Sequence, residues 1–363
     1  MNEKFNILIT ARFDKTQLTS IQECIASVKY RGWGVDRRLL DESRLIDELK
    51  DVDIFISEYE PISSKVIRAA ENLKLIACCR NEPLASIDIE DATERGIPVI
   101  YPQGRNAVSV AEFAFGLMIS VSRNIHKVYH LIKYTTEITR VPYRTDKKGR
   151  MGAPSEWSFD PRAPLNRFGG PELANKVLGI VGLGAIGCEI ALRANAFQMK
   201  VYAYDPYAPD LRIEKFGVSR KPLEELIRAS DYIVIAARVS EDNKGMISEE
   251  LFRLMKPTAF FINVARAHHV DYDALYTTLK NKGIAGAALD VYPVEPIPED
   301  YPFIDLDNVI LSPHLGGSST DIEKHHSRMI VDDISLILNG NKPVNLLNPE
   351  SWQSSYFKQH HNR

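Results

Sequence analysis

The sequence predicts an α/β fold, in which short buried strands form parallel sheets and alternate with helices. Two patterns predict this fold. Short apolar runs are separated by segments with helical periodicity, as in βαβ units. In addition, a glycine turn at Gly182, Gly184 and Gly187 directly follows one such run, near the middle of a chain of 363 residues. This length is sufficient for two domains, each with its own core.

The first third of the chain contains one predicted series of alternating elements. Apolar runs predict strands, and amphipathic or alanine-rich stretches between them predict helices. The predicted strands are residues 5–10, 53–57, 75–79 and 98–101, and the predicted helices are residues 18–30, 63–70, 87–94 and 108–123. The last of these helices is long and apolar, and we expect it to leave the first domain.

A second series begins at Lys176. Its predicted strands are residues 177–180, 201–204, 232–236, 259–263, 286–290 and 309–312, and a helix is predicted at 322–338. Gly340 and Pro343 follow that helix and are typical of a helix end. Residues 134–168 have no clear period and are interpreted either as an oligomer arm or as a solvated loop. We expect the polar tail at 349–363 to be frayed.

Composition excludes several classes of protein. The hydrophobic content of 44% and charged content of 26% are typical of a soluble globular chain, and the net charge of −3 gives no general attraction to nucleic acid. No apolar run is long enough to span a bilayer, so we expect no membrane partner. The N-terminus leads directly into a strand pattern, without a signal peptide. The four cysteines do not have the spacing of a metal site or a disulfide framework. Together with the N-terminal pattern, this spacing predicts a cytoplasmic protein with reduced thiols.

The glycine turn has the context of a dinucleotide-binding site. It follows an apolar run, opens a helical segment, and is succeeded by a second run that ends in an acid. The first glycine allows the bend, the second lets the backbone approach a pyrophosphate, and the third lets the helix pack on the sheet. The N-terminus of the helix favours the anion. The predicted cofactor-binding residues of this segment are Gly182, Gly184, Ala185, Ile186, Gly187 and Asp205.

Asp205 favours NAD over NADP as the cofactor. A carboxylate at the end of the second strand bonds the hydroxyls of the adenosine ribose and repels the additional phosphate of NADP. No arginine or lysine follows Asp205 directly.

Three further segments place a reactive side chain just after a predicted strand. They contain Arg266, Glu295 and His314. Reduction of a ketone by a nicotinamide requires a proton donor, and histidine suits this task because it titrates near neutral pH. Arginine can grip a carboxylate bidentately, and a carboxylate beside the histidine stabilises the imidazolium. We therefore predict these three as the catalytic residues, with no metal.

These segments resemble those of the D-isomer-specific 2-hydroxyacid dehydrogenases. The resemblance covers roughly residues 5 to 348 and includes the motifs at 72–76, 92–99, 110–112 and 255–257. It implies that Arg266 binds the substrate carboxylate and carbonyl, that Glu295 partners His314, and that His314 is the acid/base. It also implies that Asp290 contacts the nicotinamide carboxamide and that Ala265 lines the cofactor site.

The resemblance also implies an architecture and an assembly. It implies two doubly wound parallel-sheet domains, with a Rossmann NAD-binding domain at 124–314 inserted into a flavodoxin-like substrate domain made of 1–123 and 315–348. Members of the family are generally homodimers. The stretches at 165–173 and 78–80 are similar to phosphoglycerate-dehydrogenase-like members. A second reading is an NAD(H)-sensing binding protein of the corepressor type, because such proteins resemble the family and keep its site.

The predicted substrate loop departs from the family pattern. The family usually has glycine here, to receive the substrate carboxylate on backbone N–H groups, but residues 80–85 contain none. The predicted substrate contacts in the loop are Arg80, Asn81 and Glu82, in addition to Arg266. Because Glu82 would repel a small acid, we expect a phosphorylated or polyhydroxylated 2-hydroxy or 2-keto acid. Ala267 replaces the usual glycine after Arg266, and the His268-His269 pair that follows either touches the substrate or lies on the surface, the latter being favoured.

Overall fold

The structure is a computed structural model that describes residues 3–81, 83–135, 138 and 164–360. Most of the segment predicted as an arm or loop at 134–168, and the predicted substrate contact Glu82, lie outside these residues.

The described residues form twelve strands, all in parallel sheets. In chain order they are β1 (Phe5–Ile9), β2 (Ile25–Tyr30), β3 (Ile54–Ser57), β4 (Leu75–Cys78), β5 (Val99–Ile100), β6 (Val177–Val181), β7 (Lys200–Tyr204), β8 (Ser219–Arg220), β9 (Tyr232–Ile235), β10 (Phe260–Asn263), β11 (Gly286–Leu289) and β12 (Val309–Leu311).

The same residues form fourteen α-helices, with short 3₁₀ segments between some of them. The helices are α1 (Trp33–Asp36), α2 (Glu42–Leu49), α3 (Ser64–Ala69), α4 (Ile89–Glu94), α5 (Ala107–Ser122), α6 (Ile125–Tyr134), α7 (Pro164–Phe168), α8 (Ala185–Ala196), α9 (Asp210–Lys215), α10 (Leu223–Ala229), α11 (Glu249–Leu254), α12 (Tyr272–Lys280), α13 (Ile322–Leu338) and α14 (Tyr356–His360).

The two sheets have the strand orders of two well-known doubly wound folds. The first sheet has the order β2-β1-β3-β4-β5, which is the flavodoxin-like order, and the second has the order β12-β11-β10-β9-β6-β7-β8, which is the Rossmann order. The central strands β3, β4, β9 and β10 are buried along their whole length, as expected for parallel sheets covered on both faces. The predicted α/β fold class is thus confirmed.

The chain divides into two compact units, with the second inserted into the first. The first unit comprises Met1–Asn106 and Ser319–Arg363, and the second unit comprises Ala107–Ser318. These boundaries differ from those predicted at 123/124 and 314/315. The reason is α5: its apolar residues, including Val110, Ala114 and Met118, are buried in the same core cluster as β6 and α8 of the second unit.

One predicted helix of the first unit is wrong. The helix predicted at 18–30 is instead a 3₁₀ helix (Lys15–Cys24) followed by the edge strand β2, which pairs in parallel with β1. The apolar residues of this stretch are spaced as in a helix, but Val28 and Tyr30 favour a strand once a neighbouring strand is present.

The C-terminal tail was expected to be frayed, but the structure shows that it is packed against the first unit. Trp352 and Phe357 are buried among the apolar residues of the first sheet and α13, and α14 lies within this segment. Trp352 and Phe357 therefore anchor the tail in the core of the first unit.

No single helix within the described parts of the chain is long and apolar enough to cross a membrane; α5 and α6, which meet at a bend of 67°, pass that test only as a pair and by length and composition alone. Across the same residues, no group of three or more histidine, cysteine, aspartate and glutamate side chains is arranged to hold a metal ion.

Candidate functional site

The glycine turn lies between β6 and α8, at the point where the strand order of the second sheet reverses. Ligands of doubly wound folds bind at this switch point, beyond the carboxyl ends of the strands. Gly182 has a φ of +96°, and an added Cβ would lie 2.5 Å from Ala237 Cα. An added Cβ at Gly187 would lie 2.1 Å from the Gly182 carbonyl oxygen. Both positions therefore require glycine for the turn and the helix to fit together.

Gly184 is different, because an added Cβ at this position meets nothing within 4 Å. Gly184 is also the N-cap of α8 and has no side-chain cap, and both Gly184 and Ala185 are exposed. The first N–H groups of this helix thus face open space. An anion such as a pyrophosphate satisfies such groups and is stabilised by the helix dipole. The turn therefore fits a dinucleotide.

Asp205 fixes the glycine turn through its carboxylate. Oδ2 accepts from the Leu183 N–H at 2.7 Å, and Oδ1 accepts from the Tyr207 N–H at 2.9 Å. A carboxylate has about four acceptor positions, so each oxygen can still accept a ribose hydroxyl. The side chain is half-buried at the end of β7.

Two arginines beside this turn were missed in the sequence analysis. Arg212 donates to the Leu183 carbonyl oxygen at 3.2 Å, and Arg220 donates to the Asp205 carbonyl oxygen at 2.8 Å. Arg220 also pairs with Asp210 at 3.0 Å. They lie 7 and 15 positions after Asp205 in the sequence, so no local pattern connects them to the turn. The parallel pairing of β7 with β8 brings Arg220 there.

The three predicted catalytic residues follow β10, β11 and β12, which are neighbours in the second sheet. Because parallel strands end at the same edge, their following loops meet. His314 Nδ1 lies 2.7 Å from Glu295 Oε2. An ionised carboxylate can only accept, so Nδ1 donates the proton and Nε2 is left as the nitrogen that can exchange a proton. The side chains of His314 and Glu295 are 43% and 37% exposed, which leaves the pair accessible to a ligand.

Several interactions act on the Glu295 carboxyl. Burial alone would raise its pKa, but the hydrogen bonds from His314 and from the Tyr292 N–H, together with the positive charge of Arg266, bring the pKa below its ordinary value. The carboxylate therefore stays ionised throughout the neutral range and remains a charge partner for an imidazolium.

Arg266 is exposed and lies close enough to Glu295 to affect its pKa. It forms the N-cap of the 3₁₀ segment Ala267–His269, and its Nη1 donates to the Ala265 carbonyl oxygen at 2.8 Å. The N–H of the buried residue Ala265 donates to Asn263 Oδ1 at 3.1 Å. A hydrogen bond to the end of β10 thus fixes the segment that carries the Arg266 guanidinium.

The carboxylate of Asp290 is engaged by the loop that carries His314. The residue is 1% exposed. Its Oδ1 accepts from Ser312 Oγ at 2.7 Å and from the Leu315 N–H at 2.8 Å, and its Oδ2 accepts from the Gly316 N–H at 2.7 Å. In this structure the carboxylate therefore holds the turn that presents His314, whose φ is +57°. A contact with a nicotinamide carboxamide stays a prediction.

The histidine pair after Arg266 divides between surface and core. His268 is exposed, as favoured from the sequence, but His269 is 0% exposed, so its predicted surface location is wrong. Its Nδ1 lies 3.2 Å from the Arg266 carbonyl oxygen.

The predicted substrate contacts Arg80 and Asn81 lie beyond the carboxyl end of β4 in the first unit. The Arg80 guanidinium lies over the Tyr59 ring, 4.8 Å from its centroid. Asn81 Nδ2 donates to Asn106 Oδ1 at 2.9 Å, whereas the buried Asn81 Oδ1 has no hydrogen-bond partner among residues 3–81, 83–135, 138 and 164–360. Both residues thus follow the carboxyl end of β4, and ligands of doubly wound folds bind beyond the carboxyl ends of the strands.

Comparison with known proteins gives consistent matches. A family model described as D-isomer specific 2-hydroxyacid dehydrogenase, NAD binding domain, matches residues 144–316. A glyoxylate reductase from Korarchaeum cryptofilum is 33% identical over 309 residues, which cover 84% of this chain and 86% of that protein. A D-3-phosphoglycerate dehydrogenase from Methanocaldococcus jannaschii is 34% identical over 311 residues, which cover 85% of this chain and 54% of that protein.

A solved structure shares the fold. The NAD-complexed form of a D-isomer specific 2-hydroxyacid dehydrogenase from Lactobacillus delbrueckii ssp. bulgaricus matches with a TM-score of 0.73 at 18% sequence identity. The match covers 94% of this chain and 100% of that chain.

Proposed function

Since the chain belongs to the D-isomer-specific 2-hydroxyacid dehydrogenases, a family of NAD-dependent oxidoreductases, we propose that it interconverts a D-2-hydroxy acid and the corresponding 2-keto acid with His314 as the acid/base. The observation that carries the proposal is the hydrogen bond of 2.7 Å between His314 Nδ1 and Glu295 Oε2. This bond orients the ring and leaves Nε2 for the substrate oxygen. When bound, the cofactor would supply the hydride chemistry, with NAD as the hydride acceptor in oxidation and NADH as the hydride donor in reduction.

His314 moves the proton that accompanies the hydride. In the oxidation direction, neutral Nε2 takes the proton of the substrate hydroxyl, and the imidazolium that forms is stabilised by the ionised Glu295. In the reduction direction, the imidazolium gives this proton to the carbonyl oxygen. Asp290, Leu315 and Gly316 keep the histidine turn in place throughout, because the carboxylate holds both backbone N–H groups.

Arg266 has the chemistry to bind the substrate carboxylate. Its guanidinium is permanently charged and can bond a carboxylate through two parallel hydrogen bonds. It also polarises the neighbouring carbonyl, which favours hydride addition. Its proximity to Glu295 supports a common site for the clamp and the acid/base pair.

The cofactor would be held by the turn after β6 and by Asp205. The exposed N-terminus of α8 at Gly184, Ala185 and Ile186 receives the pyrophosphate, and Asp205 receives the ribose hydroxyls. Ala265, directly before Arg266, belongs to the proposed cofactor contacts on the basis of the family resemblance.

We propose that the substrate carries hydroxyl or phosphate groups beyond the 2-hydroxy acid itself. The residues in the substrate loop support this, because Arg80 and Asn81 present a cation and an amide where the family pattern has glycine. A polyhydroxylated or phosphorylated chain offers acceptors and donors for both. Glu82, which belongs to the same loop, is part of the proposal as a partner for substrate hydroxyls.

A panel of 2-keto acids tests this function and the substrate class. We expect the oxidation of NADH, followed by its absorbance, to be fastest with phosphorylated or polyhydroxylated keto acids. Fastest turnover with pyruvate or hydroxypyruvate would contradict the substrate class but not the reaction. Absence of turnover with every member, together with tight binding of NADH, would instead favour an NAD(H)-sensing binding protein of the corepressor type.

The proposal includes a homodimer and a cytoplasmic location. α6 supports the dimer: Ile125, Tyr129 and Ile132 recur at helical spacing on one face and are 52%, 59% and 51% exposed. Such an apolar stripe is typical of a surface that another protein covers, and symmetric dimers are the commonest closed assemblies. The adjacent free thiols of Cys78 and Cys79 support a reducing compartment.

A further inference from the structure

We propose that His269 is a positioning residue for Arg266, acting through a hydrogen bond from its imidazole to the Arg266 carbonyl oxygen. The proposal rests on the function proposed above, in which Arg266 binds the substrate carboxylate. It goes beyond that function, because it assigns a role to a residue that does not itself touch the substrate.

His269 is buried with one ring nitrogen beside the Arg266 carbonyl oxygen. The side chain is fully buried, and Nδ1 lies 3.2 Å from the Arg266 carbonyl oxygen. A carbonyl can only accept, so Nδ1 carries a proton and donates it to the Arg266 carbonyl oxygen. Nε2 is buried and finds no hydrogen-bond partner among the described side chains and backbone. Nδ1 is therefore the ring nitrogen through which His269 holds the loop.

A second buried side chain holds the same carbonyl. Asn263, at the end of β10, is 0% exposed, and its Nδ2 donates to the Arg266 carbonyl oxygen at 3.2 Å. The carbonyl thus receives two donors from opposite ends of the loop, residue 263 before it and residue 269 after it. Two donors on one acceptor restrict the rotation of the peptide group, and this determines the direction in which the Arg266 side chain leaves the backbone.

This pair is connected to the loop of the acid/base residues. Asn263 Nδ2 also donates to Tyr272 Oη at 3.3 Å, and Tyr272 Oη donates in turn to the Val291 carbonyl oxygen. Burial raises the pKa of Tyr272 far above its ordinary value, so the hydroxyl keeps its proton and remains a donor. Val291 follows Asp290, whose carboxylate holds the His314 turn. A continuous buried chain of hydrogen bonds therefore joins the loop of the clamp to the loop of the acid/base pair.

Substitutions at position 269 can separate the effect of the hydrogen-bond donor from the effect of packing. Leucine at position 269 fills a similar volume without a donor. Asparagine leaves a small cavity but places an N–H group where Nδ1 lies, and glutamine extends its donor toward the position of Nε2. A purely structural role would favour leucine over asparagine, whereas a positioning role predicts the reverse order.

The experiment compares His269→Leu, His269→Asn and His269→Gln with the wild type, using the best keto acid of the panel. We expect KM for the keto acid to rise roughly tenfold in the leucine and glutamine variants, the scale of one lost hydrogen bond. We expect a smaller rise in the asparagine variant. The dissociation constant of NADH, measured by fluorescence titration, should stay unchanged in all three. His268→Leu is the matched control, because its side chain is exposed, and its KM should equal that of the wild type.

Arg266→Ala distinguishes failure of this inference from failure of the proposed function. If Arg266→Ala raises KM and His269→Leu and His269→Gln do not, the positioning role is overturned and the clamp stands. If Arg266→Ala leaves KM unchanged, both are overturned. A KM that is higher in the asparagine than in the leucine variant also overturns the role. Should the leucine variant fail to fold, the glutamine variant retains a polar group at this position and decides the question.

Discussion

At the scale of single residues, the glycines of the cofactor turn differ in what each one does. Gly182 and Gly187 are required by the fold, since an added Cβ would collide with Ala237 and with the Gly182 carbonyl. At Gly184 the Cβ would meet only open space. A methyl group there therefore affects a ligand rather than the protein.

We accordingly expect Gly184→Ala to weaken NADH binding and leave the fold intact. Its φ of −76° suits alanine, so Tm should stay unchanged, while the dissociation constant of NADH should rise roughly tenfold, the scale of one charge-assisted hydrogen bond. Gly187→Ala is the control: the collision should lower stability by about 1–3 kcal/mol. Thermal unfolding and fluorescence titration measure both effects. A large fall in Tm for Gly184→Ala, or unchanged NADH binding, would contradict the assignment.

Most candidate site residues could be predicted from the sequence, because each one lies at the end of an apolar run or in the loop that follows one. Arg266, Glu295 and His314 follow three strands that are neighbours in a parallel sheet, so their local positions imply their proximity. The network around His269 could not be predicted in this way. A histidine next to an exposed histidine has no local signal for burial, and its partner is a backbone carbonyl. Arg220 was missed because strand pairing alone brings it to Asp205.

At the scale of elements, central strands were predicted better than edge elements. β3, β4, β9 and β10 are buried throughout and were predicted to within one residue at each end, and α13 was predicted with its observed bounds. β2 was predicted as part of a helix because an edge strand with exposed positions lacks a continuous apolar run. Pairing with β1 supplies what the local pattern lacks.

α6 provides a prediction at this scale. None of its residues is buried within the chain, and its apolar stripe should lie in the proposed dimer interface. We expect Tyr129→Glu to convert the dimer into a monomer, as measured by light scattering after gel filtration, because a charge in a covered apolar surface is costly. His130→Glu, exposed on the same helix outside the stripe, should remain dimeric. If the wild type is itself monomeric, or if both variants remain dimeric, the stripe is not the interface.

At the scale of the whole molecule, the insertion of one doubly wound unit into another could be predicted from the family resemblance, but its borders could not. The sequence of α5 indicates only a buried helix. Which core buries it depends on the tertiary packing, and α5 packs in the core that contains β6 and α8. Likewise, the polar composition of the C-terminal tail concealed two anchors, Trp352 and Phe357, which bury it in the first unit.

The organisation of the second unit also explains how one unit holds most of the proposed chemistry. The cofactor turn after β6 and the catalytic loops after β10, β11 and β12 all extend from the carboxyl edge of one sheet. In the proposed mechanism, cofactor binding and proton transfer use different strands of that sheet. Removal of the catalytic imidazole should therefore leave the cofactor turn undisturbed.

The most direct test of the account is the kinetics of His314→Ala with NADH and the best keto acid of the panel. We predict that kcat falls by a factor of about 10² to 10⁴, while the dissociation constant of NADH, titrated by fluorescence, stays at the wild-type value. An unchanged kcat would remove His314 as the acid/base and contradict the central claim.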